Sequence, residues 1–214
     1  MIIAGADEAG RGCVLGPLVI CLACIEEDNE AELRKIGAKD SKLLMPKQRE
    51  RLAKSIRKLC NLQTVHITAR ELNAEMKRHS LNEIEAMRIG RALANAGEVA
   101  AVYVDSPDTE TGRFERRIKK YYSGGARIIS EHRADYKYAI VSAASIIAKV
   151  ERDAEIERIK KELDHDFNSG YTSDEATIEF LRNNLYRKDV QQYLRVEWET
   201  VARLAQKKIT DFEF

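Results

Sequence analysis

The segment Ile2-Ile3-Ala4-Gly5-Ala6-Asp7-Glu8-Ala9-Gly10-Arg11-Gly12 decides how this chain is read. Ile2 to Ala6 is a short apolar run of the kind that forms a buried strand, stopped by two acids and two glycines. In a regular strand Asp7 and Glu8 leave on opposite faces. Both reach one site only if the chain bends there, and Gly10 and Gly12 make a bend cheap, so a bend is expected. Ala100 to Val104 is a second short apolar run, and it too runs into an acid, Asp105. Adjacent strand ends bring such carboxylates to one edge of a sheet, where open α/β folds place their sites. Asp135, at the expected start of a long helix, is a fourth acid able to turn inward.

Carboxylates sharing one cleft repel one another unless cations sit between them. Mg²⁺ and Mn²⁺ prefer hard oxygen ligands, and no His/Cys set competes for the role. Two such ions about 4 Å apart activate water and stabilise the leaving oxygen of a phosphodiester. Singly, each acid has a plainer use: Asp7 capping a turn, Asp105 opening one before Pro107, Asp135 capping a helix. Taken with Arg11 and the glycines, the set points to a metal-dependent nuclease.

Outward from this segment, Val14 to Ile25 reads as one long strand, with further strands at Gln63 to Thr68 and Arg127 to Ser130. Pro46 starts a helix with Leu52, Ile56 and Leu59 at helical spacing. Ser80 is the expected N-cap of Leu81 to Ala96, with Glu83 completing a capping box and Gly97 beyond the end. Glu110 to Tyr122 and Tyr138 to Leu163 read as helices. The remainder is helical, broken at Asn168-Ser169-Gly170 and around Asn183-Asn184. This order predicts an α/β domain over residues 1–163 and a helical C-terminal region over 164–214, the boundary falling between 160 and 170.

The chain has 214 residues, enough for one sizeable domain, and 44% are apolar, enough for a buried core. Its 36 Lys and Arg nearly balance 35 Asp and Glu, so any basic surface for nucleic acid must be local. The N-terminus has no basic n-region, and the apolar stretch Cys13 to Ile25 contains Pro17 and is too short to span a bilayer. A cytoplasmic protein is expected. Cys21-Leu22-Ala23-Cys24 has no second Cys or His pair to complete a metal site, so these cysteines read as small buried hydrophobes.

The sequence resembles the ribonuclease HII family, particularly its archaeal members. Asp7-Glu8-Ala9-Gly10-Arg11-Gly12 is similar to the family's opening signature, and Asp40-Ser41-Lys42, Tyr103-Val104-Asp105-Ser106, Glu131-His132-Arg133-Ala134-Asp135, Ser142 to Val150 and Ser169-Gly170-Tyr171 follow in order. The resemblance covers residues 1 to about 175 and weakens through the helical tail. It implies an RNase H-like fold, a mixed central sheet flanked by helices, with Asp7, Glu8, Asp105 and Asp135 as metal-binding acids at a two-metal site. It also implies endonucleolytic cleavage 5′ of a ribonucleotide, in RNA–DNA hybrids or at ribonucleotides embedded in duplex DNA, leaving 3′-hydroxyl and 5′-phosphate ends. Transposases, integrases and junction resolvases do not normally open with adjacent Asp-Glu before Gly-Arg-Gly. Ribonuclease HIII is nearer, but carries an extra N-terminal domain, whereas here the motif begins at residue 7.

Telling RNA from DNA requires reading the 2′-hydroxyl. The resemblance assigns that task to Gly10, Arg11 and Gly12 together with Tyr171, whose ring packs against the next sugar. Asn168 and Thr172 stand where the family commonly has Gly and Pro, and Arg133 where Lys is frequent. Ser142, Ser145, Lys149 and Arg152 form one stripe of the long helix, suited to phosphate oxygens or to plain solvation, and Lys42 is a second phosphate contact. His132 is read as a structural hydrogen-bonding residue. In the tail, Gln206, Ile209 and Phe212 resemble the PCNA-interacting peptide that docks on sliding clamps, with Ile209 and Phe212 on one side of a helical turn. The chain is expected to act as a monomer.

Overall fold

In the computed structural model, which describes residues 1–38 and 44–210, the opening segment is strand almost throughout. β1 spans Ile2–Ala9, and β2, Leu18–Glu26, pairs with it antiparallel in unbroken register from Ile2↔Glu26 to Ala9↔Val19. The expected bend at Asp7-Glu8 is therefore absent. The ladder to β2 carries the strand two residues past Asp7, and the turn comes only at Gly10, where φ is +84°. The long strand expected over Val14 to Ile25 begins instead at Leu18. Gly16 is left-handed at φ +90° and Pro17 has no N–H to give a ladder, so residues 13–17 cannot continue it.

The remaining strands are β3 (Asn61–Ile67), β4 (Ala101–Asp105) and β5 (Arg127–Glu131). Together they form a five-stranded sheet in the order β3-β2-β1-β4-β5, with β4 parallel to both β1 and β5. The helices are α1 (Glu30–Lys35), α2 (Pro46–Leu59), α3 (Ala69–Glu75), α4 (Leu81–Asn95), α5 (Thr111–Lys119), α6 (Ala134–Lys137), α7 (Ala139–Leu163), α8 (Glu175–Asn184), α9 (Lys188–Gln191) and α10 (Glu199–Thr210).

Two compact units share these elements. The first comprises residues 1–9, 19–65 and 80–151; the second comprises 10–18, 66–79 and 152–214. The units thus interleave along the chain. In the first unit, Ile3, Ala9, Val19, Cys21, Ala23 and Ile25 meet Ile140 to Ala148 of α7 in a continuous core. Gly5 is required there: a Cβ would lie 2.5 Å from the Ile140 carbonyl carbon. Odd-numbered residues of β1 therefore face α7. Cys21, Cys24 and Cys60 are buried free thiols whose pKa values burial pushes up, and they behave as small core residues. In the second unit, Val14 and Leu15 pack with Ile156, Ile159, Leu163, Phe167, Phe180 and Leu194.

The Ser80 cap holds, its hydroxyl accepting the Glu83 N–H at 3.3 Å. The capping box does not form. Glu83 turns away to Arg117, Lys120 (3.2 Å) and Tyr121 (2.8 Å), because two cations and a phenol hydroxyl together outcompete one terminal N–H. No helix among the described residues is long and apolar enough to cross a membrane.

Candidate active site

Parallel pairing of Ala6 with Val104 puts Asp7 and Asp105, one step further along, on the same sheet face. The register continues to Glu131, opposite Asp105 on β5. Three carboxylates thus form one row across β1, β4 and β5, of which sequence reasoning anticipated two. Asp105 Oδ1 accepts the Ala134 N–H at 2.8 Å, tying the start of α6, and so Asp135, to the end of β4. Asp135 sits in that separate short helix and not at the N-terminus of α7, because Tyr138 is extended between them. Arg133 makes the turn into α6 with a left-handed φ of 55°. His132 meets the Thr109 carbonyl at 3.2 Å, a structural contact.

Glu131 accepts from Lys137 and from the Tyr138 hydroxyl at 3.1 Å, gripping the far end of α6. Its carboxyl is held below the usual glutamate pKa, chiefly by Lys137. The signal available in the sequence was its place directly after the expected strand Arg127 to Ser130, at the head of Glu131-His132-Arg133-Ala134-Asp135.

Asp7 is only 6% exposed. Burial lifts its carboxyl to about 6, Lys149 and the Ser145 hydroxyl oppose that rise, and the Asp105 charge adds to it. The Glu8 N–H also donates to Asp7 Oδ1, at 2.7 Å. By strand alternation the Glu8 side chain leaves on the face opposite Asp7. Among the described residues no three His, Cys, Asp or Glu side chains close into a metal cage. The donor chemistry nonetheless suits a hard cation. Asp135 is 4% exposed, and its Oδ1 is buried with no hydrogen-bond partner among the described residues.

The helical stripe proves to be mostly interior. Ser142 and Ser145 have no exposed surface, and Arg152 is almost fully covered, because this side of α7 is turned inward. Lys149, half-buried, donates to Ser145 Oγ at 2.5 Å. Lys42, with Asp40 and Ser41, lies outside the described residues.

In the second unit, Gly10, Arg11 and Gly12 lead into Cys13, which forms an isolated bridge with Tyr171. A Cβ on Gly12 would stand 3.6 Å from the Tyr171 ring. The Tyr171 loop is firmly tied despite Asn168 and Thr172. Asn168 takes the left-handed φ of 63° that glycine would adopt freely. Gly170 accepts from Val14 N–H at 2.8 Å and donates to Thr177 Oγ1 at 3.0 Å, while Ser169 is held by Asp174. Arg195, which no sequence signal marked, is fully buried, and it donates to the carbonyls of Gly16 (2.9 Å) and Arg11 (3.2 Å). It fastens both ends of the loop that carries Gly12.

Residues 4–201 match the family model described as ribonuclease HII. The chain belongs to the ribonuclease HII family. It is 43% identical over 210 residues to the ribonuclease HII of Archaeoglobus fulgidus, covering 98% of this chain and 99% of that one. The crystal structure of ribonuclease H2 from Pyrococcus horikoshii superposes with a TM-score of 0.86 at 42% identity, covering 97% and 98% of the two chains. The ribonuclease HII of A. fulgidus solved in complex with PCNA gives 0.85 at 40% identity, over 93% and 96%. The mixed sheet is thus the RNase H-like fold of ribonuclease HII. The activity is that of the family: the chain cleaves RNA in RNA–DNA hybrids and at ribonucleotides embedded in duplex DNA.

Proposed function

We propose that Asp7, Asp105 and Asp135, joined by Glu8, hold divalent Mg²⁺ or Mn²⁺ ions for hydrolysis of the phosphodiester 5′ of a ribonucleotide, leaving 3′-hydroxyl and 5′-phosphate ends. The supporting observation is a buried, under-compensated carboxylate, Asp7, raised to about 6 beside the Asp105 charge. When bound, a pair of such ions supplies an activated water and neutralises charge on the leaving oxygen. Asp7 is oriented by the Glu8 N–H and the Ser145 hydroxyl, and Asp105 by the Ala134 N–H. Glu8 enters this set on family resemblance, since strand alternation alone sends it to the other face.

Lys149 has the reach and partial exposure to meet a phosphate oxygen, and Lys42 is assigned the same task. Ser142 and Ser145, without exposed surface, act by orienting neighbouring groups. Gly10, Arg11, Gly12 and Tyr171 read the ribose, the ring packing on the adjoining sugar. Gln206, Ile209 and Phe212 dock on a sliding clamp of the PCNA type, by analogy with the A. fulgidus ribonuclease HII, which was solved in complex with PCNA. Gln206 is exposed on α10, whereas Phe212 and the Ile209 side chain lie outside the described residues. The enzyme works as a monomer in the cytoplasm.

A duplex DNA bearing one ribonucleotide, incubated with Mg²⁺ or Mn²⁺, tests the reading. Wild type is expected to nick it 5′ of the ribonucleotide, and Asp7→Asn to leave it intact. Equal cutting by the two proteins rejects the assignment.

A further inference from the structure

Arg152 is 5% exposed, yet no buried acid among the described residues balances it. Nη1 reaches the partly exposed Asp153 at 2.8 Å, Nη2 donates to Cys13 Sγ at 3.3 Å, and the buried Nε has no hydrogen-bond partner among the described residues. The guanidinium also hydrogen-bonds the Tyr171 side chain, so what compensates the buried charge comes largely from Tyr171 and Cys13 and not from a buried carboxylate. Its Cζ lies 4.6 Å from the centroid of the Tyr171 ring, within cation–π range. A Cβ on Gly10 would come 2.6 Å from the Pro17 carbonyl oxygen, 3.2 Å from Arg152 Cγ and 3.5 Å from Nε. The first glycine of Gly-Arg-Gly therefore makes room for Arg152 as well as turning the chain. Cys13 closes the group: its thiol interacts with the Tyr171 hydroxyl and its backbone bridges to Tyr171. Near-complete burial rules Arg152 out as the phosphate contact that its place in the helical stripe suggested.

We infer that Arg152 is a positioning residue that, braced by Gly10 and Cys13, fixes the plane of the Tyr171 ring and so sets discrimination at an isolated ribonucleotide. This rests on the reading of Tyr171 as the sugar-packing ring. At an isolated ribonucleotide the adjoining sugar on which the ring packs is a deoxyribose, so a tilted ring loses that packing in full. In a continuous RNA strand the adjoining sugar carries a 2′-hydroxyl that keeps the ring from packing closely, so the tilt costs less.

The test is steady-state cleavage of a single-ribonucleotide duplex and of an RNA–DNA hybrid by wild type, Arg152→Met, Arg152→Lys, Tyr171→Ala and the Arg152→Met/Tyr171→Ala double variant. Thermal melts identify the folded variants. Arg152→Met is expected to lower kcat on the single-ribonucleotide duplex about tenfold more than on the hybrid, with KM little changed. Arg152→Lys, which keeps the charge without the planar fork, recovers part of that loss. The double variant is expected to cut no more slowly than Tyr171→Ala alone, the mark of two residues acting as one. If Arg152→Met fails to fold, Arg152→Lys and its double variant with Tyr171→Ala carry the same comparison.

Independent effects, with the double variant slowed by the product of the singles, overturn the inference and leave the Tyr171 reading standing. So does an equal loss on both substrates. If Tyr171→Ala discriminates as wild type does, the Tyr171 reading falls and the inference falls with it.

Discussion

Asp7 and Asp105 leave neighbouring parallel strands on the same face, one step beyond the Ala6–Val104 pair, and the charge of Asp105 helps hold the buried Asp7 carboxyl near a pKa of about 6. A carboxylate so placed is a burden on the metal-free protein. Asp7→Asn keeps the shape and removes the charge, so it is expected to stabilise the metal-free protein at pH 8 by on the order of 1–3 kcal/mol, while abolishing cleavage. Urea unfolding in EDTA measures the first effect. A variant less stable than wild type under those conditions would show that the charge is welcome in the fold.

The same carboxyl sets a pH window. Its native pKa lies above the unfolded value near 3.8, so its contribution to stability is fully present below that value and is lost as pH rises through about 6. Cations compete with that proton. Mn²⁺ binding is expected to tighten from pH 5 to pH 7 with proton release at the lower end. Calorimetry in two buffers of different ionisation enthalpy counts the protons, and zero release at pH 5 contradicts the assignment.

Glu83 runs the other way. Hydrogen bonds from Tyr121, Arg117 and Lys120 outweigh its burial and lower its pKa, so its contribution is present above the ordinary glutamate range and lost as pH falls through the lowered native value. Glu83→Gln is expected to cost about 1–3 kcal/mol at pH 7 and to cost less in acid. A penalty independent of pH from 3 to 7 would mean that the ionic form is not what stabilises.

Two glycines separate space from backbone freedom. Gly5→Ala drives a methyl to 2.5 Å from the Ile140 backbone and is expected to cost at least about 2 kcal/mol. Gly97→Ala meets nothing within 4 Å and faces only its φ of +80°, a penalty of about 1 kcal/mol. Denaturant midpoints order the two, and the reverse order refutes the packing argument.

Removal of residues 206–214 is expected to abolish binding to a PCNA-type clamp while leaving cleavage of a short duplex unchanged. Surface plasmon resonance with immobilised clamp reads the first and a gel assay the second. Clamp binding undiminished by the truncation sinks the tail assignment.

What could be read without the fold was local. The apolar runs before Asp7 and Asp105, the helix opened by Pro46 and the Ser80 cap depend on neighbouring residues, and they stand where expected. Expectations failed where distant residues compete. Glu83 left its cap for Arg117, and α7 turned Ser142 and Ser145 into the interior. β1 ran straight through Asp7-Glu8 because β2 supplied a ladder partner for each residue.

By itself, then, the sequence determined the family and the kinds of element that carry the proposed acids, since motif spacing and hydrophobic period are properties of the chain. Tertiary structure alone decided that Glu131 joins the Asp7–Asp105 row, that Arg195 fastens the Gly12 loop, and that Arg152 lies under Tyr171. Each of these relationships joins separate stretches of the chain, and no local pattern encodes strand register or the partner of a buried cation.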